Sequence, residues 1–223
     1  MDDASVGRPM GEAALREALA PEDKVQRLVS RFYDDEKAFA GTTFLDLPEE
    51  DPNAIESSDL LAVTLMGETY PAAAVRTLLR MEPWRSAVTS LLVEIPKNLE
   101  IWSISDSDLH DEDGAPVKLW RLLDQLYGVG PTKTSKLMAR KRPGLIPIYD
   151  RWIGEKVASR DDYWHVFHRF LSDASNRDAV NKVRPTAPGP RDLPGLRILD
   201  TAVWMRYSEG TPAKDARAAC RLE

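Results

Sequence analysis

Leu126-Tyr127-Gly128-Val129-Gly130-Pro131-Thr132-Lys133-Thr134-Ser135-Lys136, followed by Leu145-Ile146-Pro147-Ile148-Tyr149-Asp150, decides how this chain is read. The apolar spacing of Leu119, Trp120, Leu122, Leu123 and Leu126 predicts a helix running into Gly-Val-Gly. Pro131 sits at the first position of a second helix, where its missing amide costs nothing. The glycines allow positive φ and let another backbone approach without a Cβ in the way. First-turn amides and the helix dipole attract an anion. Lys133 and Lys136 add charge, so the turn suits one or two consecutive phosphates, contacted without base reading. The short extended run then delivers a carboxylate, Asp150, to a helix predicted over 151–157. There a helix N-terminus favours the charged form, and Asp is also a good plain N-cap.

Outward from this stretch the pattern is helical. Val25, Leu28, Val29 and Phe32 follow Pro21 at three- and four-residue spacing, and a weaker helix precedes them around 11–19. A polar, turn-rich crossing over 41–58 is tacked to the body by Phe39, Phe44, Leu45 and Leu47. Ser57-Ser58-Asp59 caps Leu60 to Met66, which is apolar nearly all round and is expected to be a buried central helix. Helices follow from Pro71 and from Pro83. The acidic run over 98–116 lacks the glycine and terminal Glu of a calcium loop and reads as a solvated connection. Beyond Asp150 come an aromatic helix with Tyr163, Trp164, Phe167 and Phe170, a four-proline loop over 184–194, and a long apolar helix through Met205. The expected class is all-α, without internal repeats.

At 223 residues the chain can bury a real core as one domain or as two small lobes. Its one cysteine, Cys220, rules out a disulfide framework, and the acidic Met1-Asp2-Asp3-Ala4 start has no apolar run behind it. A soluble, cytoplasmic and monomeric protein without membrane contact is expected. The net charge of −6 argues against a surface given over wholly to a polyanion. Between Gly128 and Lys156, however, seven basic residues face two acidic ones, a local charge of +5 that leaves −11 elsewhere. Such an island suits a few phosphates, or it is an ordinary solvated face. His110, His165 and His168 show no ligand spacing with the cysteine, so no metal is expected.

The Leu-Tyr-Gly-Val-Gly-Pro-Thr-Lys-Thr-Ser run resembles the helix-hairpin-helix of the base-excision DNA glycosylases of the HhH-GPD superfamily. In that superfamily a Gly/Pro-rich loop leads to a Pro-Val-Asp with a catalytic aspartate. Here Lys141-Arg142-Pro143-Gly144 precedes Pro147-Ile148-Tyr149-Asp150, eighteen residues after Thr132. The chain is also similar to a bacterial group of unassigned function with an Ala-Arg-Lys-Arg-Pro stretch (Ala139 to Pro143) and a Leu-Asp-x-x-x-Trp-Met stretch (Leu199 to Met205).

The resemblance implies a single domain over 1–223 with two helical lobes around a cleft, over 59–158 and over 1–58 with 159–223. It implies DNA contact through Gly128, Val129, Gly130, Thr132, Lys133, Thr134 and Lys136, hydrolytic release of a modified or damaged base with Asp150 as the carboxylate, and Trp152 in the base pocket. No cofactor is implied beyond a monovalent cation that the hairpin could hold. Thr132 stands where the strand-cutting members carry a Schiff-base lysine, which points to a monofunctional enzyme. Arg151-Trp152 replaces the usual Thr-His, and Gly67-Glu68 replaces a Gln pair. Two other readings stay open: a non-catalytic DNA-binding protein on the same scaffold, and an interaction protein whose hairpin is a tight helical corner.

Overall fold

The computed structural model describes residues 8–34, 36–37, 39–186 and 192–222, with side chains from Gly11 onward. The Met1 to Ala4 start and positions 187–191 of the proline-rich loop lie outside the described residues. The described residues form fourteen α-helices and no strand: α1 (Arg8–Ala18), α2 (Glu22–Phe32), α3 (Gly41–Asp46), α4 (Ser57–Leu65), α5 (Ala72–Arg80), α6 (Glu82–Glu94), α7 (Asp106–Leu109), α8 (Ala115–Asp124), α9 (Gly130–Lys141), α10 (Arg151–Lys156), α11 (Tyr163–Ser172), α12 (Ala174–Lys182), α13 (Gly195–Tyr207) and α14 (Thr211–Ala219). None is long and apolar enough to cross a membrane.

The chain packs as two compact units, one contiguous over Thr43–Ile148, the other assembled from Met1–Thr42 and Tyr149–Glu223. In the discontinuous unit α13 is the central helix, packed against α1, α2, α10, α12 and α14. Leu196, Ile198, Leu199, Ala202, Val203 and Met205 are all fully buried, which is what a helix apolar on every side requires. Its two buried charges answer each other: Arg197 Nη2 meets Asp200 Oδ2 at 2.5 Å one turn away. The Tyr33 hydroxyl reaches Thr201 Oγ1 at 2.9 Å, and burial pushes that phenol well above its ordinary pKa. Cys220 is buried beside α14, and burial pushes its thiol up.

In the contiguous unit α9 packs on α4 and α8, α8 on α6, and α6 on α5. The resemblance implies lobe limits near 59 and 158; the contiguous unit runs over 43–148. The earlier start has a side-chain cause. Arg140, Lys141 and Arg142, at the C-terminal end of α9, donate to the carbonyls of Phe44, Leu45, Leu47, Asp51 and Pro52, fastening the polar crossing to the unit.

Two local readings change, and one helix is added. The helix over Ser57–Leu65 is not buried all round, since Leu61 and Leu65 are half exposed on its outer face while Leu60, Ala62 and Val63 are buried. Its N-cap is Glu56, in a capping box with Asp59. The acidic stretch over 98–116 is more than a solvated connection: it holds a 3-10 turn at Ile101–Ser103 and α7, with Ile101 and Leu109 fully buried. The helix α12 carries little apolar periodicity, burying Val180 and Asn176, and is opened by Asp173, which accepts from the Ser175 amide at 2.8 Å.

Candidate nucleic-acid interface

The helices α8 and α9 are joined through Gln125 to Val129. Gly128 has φ +75° and Gly130 φ +65°, both in the left-handed region. The two glycines differ in their surroundings. A Cβ on Gly128 would lie 2.5 Å from Cγ of Pro71, whereas one on Gly130 would meet nothing within 4 Å. Gly128 is therefore fixed by close approach of the residue that opens α5, a contact the sequence pattern did not reveal. Tyr127, beside it, is 87% exposed.

Val129, at the N-cap of α9, offers no side-chain oxygen to the first-turn amides. Pro131, Thr132 and Lys133 are partly exposed at this end. Lys133 bends back so that its ammonium donates to the Gly128 carbonyl at 2.6 Å, closing the turn from inside. From Thr134 onward the helix is buried. Thr134 is fully buried and its hydroxyl has no hydrogen-bond partner among the described residues. Lys136 is buried too. Its ammonium donates to the Met66 carbonyl at 3.0 Å and to Glu68 Oε1 at 2.8 Å, so it caps the C-terminal end of α4.

The basic island divides accordingly. Arg140, Lys141 and Arg142 are all buried, the first two against Asp59, itself fully buried. Asp59 meets Arg140 Nε at 3.4 Å and Lys141 Nζ at 3.0 Å, and it accepts from the Glu56 amide at 2.9 Å. Lys141 also meets Glu49 at 2.9 Å. Arg142 donates to the carbonyls of Ile95, Leu92, Pro52 and Lys141 and to Asn53 Oδ1. Burial drives the Glu49 carboxyl upward, yet Lys97 and Lys141 outweigh it and hold Glu49 below its ordinary pKa. Four of the seven island cations thus serve the interior, leaving Lys133, Arg151 and Lys156 toward solvent.

Asp150 lies in the discontinuous unit, two residues after the chain leaves the contiguous one. It is the N-cap of α10: Oδ1 accepts from the Trp152 and Ile153 amides, each at 2.9 Å. Trp152 is partly exposed and carries the Arg151 guanidinium 5.0 Å above its ring, with Arg151 also bonded to Glu155 at 2.6 Å. Behind Asp150, the Tyr149 ring packs against Tyr163 with centroids 5.0 Å apart, and the Tyr149 hydroxyl lies 2.7 Å from where a Cβ on Gly154 would sit. Gly154 is thus the residue that lets α10 pass over Tyr149.

These features define an all-helical protein in which a glycine-turned helix pair stands in one unit and a capped aspartate opens the re-entry into the other. The chain belongs to a family of unknown function (DUF6308), whose profile matches residues 25–207. No curated protein and no solved structure matches it.

Proposed function

We propose that the protein is a DNA-binding hydrolase of the helix-hairpin-helix glycosylase type, two helical lobes around a cleft, that releases a modified or damaged base and uses Asp150 as its catalytic carboxylate. The observation that carries this reading is the position of Asp150: its Oδ1 is held by two amides at 2.9 Å, eighteen residues beyond Thr132 and two residues after the contiguous unit that contains the glycine turn. As the base departs, positive charge develops on the sugar. A carboxylate fixed beside it stabilises that charge and orients the attacking water. The turn over Gly128 to Lys133 receives the phosphate backbone through first-turn amides. The target base leaves the stack to be reached, and Trp152 offers it an aromatic surface. Thr132 supplies no amine, so the strand is left uncut. The reaction needs no cofactor.

The test is single-turnover base release from a panel of lesion-bearing duplexes by wild type and Asp150→Asn. Asn caps helices as well as Asp does, so the fold is kept. Release should fall by about a hundredfold or more. No release by wild type from any duplex, with both proteins binding DNA alike, turns the reading into that of a non-catalytic DNA-binding protein. The bonds of Lys133 and Lys136 to the protein's own oxygens favour one further reading, an interaction protein with a structural hairpin. Lys133→Glu separates it, since DNA binding indifferent to this change removes the turn from the interface.

A further inference from the structure

The helix α5 turns one face outward. Ala72, Ala73, Arg76 and Arg80 are exposed, while Ala74 and Leu78 are buried. Ala73, Arg76 and Arg80 recur at three- and four-residue spacing and so line a single stripe. Most exposed cations of the contiguous unit are neutralised: Arg85 by Glu82, Lys97 by Glu49, Lys118 by Asp113 and Arg121 by Glu112. Arg76 and Arg80 are different, because among the described residues neither pairs with a carboxylate or hydrogen-bonds to a carbonyl. The stripe also has a defined origin. Pro71, the N-cap of α5, is the residue pressed against Gly128, so the helix starts at the glycine turn, beside the exposed Tyr127 ring. At about 1.5 Å per residue the two guanidinium groups are rooted about 6 Å apart along the axis. That is close to two steps of one DNA strand at about 3.4 Å each.

We propose that Arg76 and Arg80 form a phosphate-binding track along α5, continuing the backbone contact that begins at the Gly128 turn, with Tyr127 packing against the nucleic acid where the two meet. The proposal rests on the nucleic-acid reading above and adds the surface and direction of the bound strand. The exposed Ala72 and Ala73 put no bulk between the turn and the arginines, so a backbone can lie against the helix. The occupant is a phosphodiester chain, because two bare guanidinium groups one turn apart match anionic groups two steps apart on a single strand.

The experiment measures binding of a fluorescein-labelled duplex as a function of salt. It compares wild type, Arg76→Gln with Arg80→Gln, and a control with Arg85→Gln and Lys118→Gln, whose cations are already paired. All four side chains are on the surface, so thermal melting should be unchanged. The double arginine variant should lower the log–log salt slope by about 1.8, roughly 0.9 per lost phosphate contact, with the control unaffected. A slope unchanged in the double arginine variant, with a wild type that binds DNA and releases a base, overturns the track and leaves the glycosylase reading standing. A wild type that binds no DNA at low salt overturns both. A poly-glutamate probe bound as tightly as DNA by wild type and lost by the double variant assigns the stripe to an acidic protein and also overturns the track.

Discussion

The two ends of α9 carry the same kinds of side chain and put them to opposite uses. At the N-terminal end Lys133 is partly exposed, with one bond back to the turn. At the C-terminal end Arg140, Lys141 and Arg142 are buried and bonded to oxygens drawn from positions 44 to 59 and 92 to 95. The difference lies in what the helix end offers. The last carbonyls of α9 favour positive charge, and the crossing between α3 and α4 has backbone carbonyls that no helix uses. Cations at that end solve the crossing's hydrogen-bond problem. Cations at the other end oppose the dipole and have only the turn or an external anion to meet.

The strongest way to break the comparison is at the buried end. Asp59→Asn leaves Arg140 and Lys141 buried without their shared carboxylate, and urea denaturation should show a loss of about 3–5 kcal/mol. A loss below about 1 kcal/mol would mean that the carbonyls alone hold these cations. At the turn, Gly128→Ala combines a left-handed backbone with the Pro71 contact at 2.5 Å, so it should cost about 2–3 kcal/mol. Gly130→Ala has the backbone penalty without the clash and should cost about 1 kcal/mol. Equal losses at the two positions would remove Pro71 from the account. The smallest effect belongs to Glu49, at the rim of the buried cluster. Its carboxyl is held below the ordinary value of 4.5, so its contribution is complete above that value and disappears as pH falls through the lower, folded-state value. Glu49→Gln should therefore cost on the order of 1 kcal/mol at neutral pH and almost nothing in strong acid. A difference that persists at low pH would show that the ion pairs with Lys97 and Lys141 are not its source.

Much of the fold is legible in the residues themselves. Periodicity places the helices that bury one face, and Pro131, Gly128 and Gly130 mark the turn where the structure has it. Asp150 is the cap that its residue type and position suggest. Two things are invisible to pattern reading. The helix α12 is mostly polar and shows itself only through the Asp173 cap. The fate of the basic island depends on carbonyls about ninety residues away in sequence, such as that of Asp51 for Lys141. A count of Lys and Arg registers the charge but not the partner, so a run of +5 looked like a surface while most of it lined an interior. The Ala139 to Pro143 stretch supplies Arg140 and Lys141 to the buried cluster around Asp59, and the Leu199 to Met205 stretch supplies Asp200 to the buried pair with Arg197.

One feature near the end of the chain opens a practical route to the bound state. Cys220 is the only thiol, 4% exposed, and burial raises its pKa, so at neutral pH it offers little reactive thiolate. A cysteine introduced at Tyr127, on the most exposed large side chain of the turn, would stand alone as a target for maleimide chemistry. A dye placed there would report directly on whether a ligand comes down on the glycine turn, with the natural thiol silent in the background.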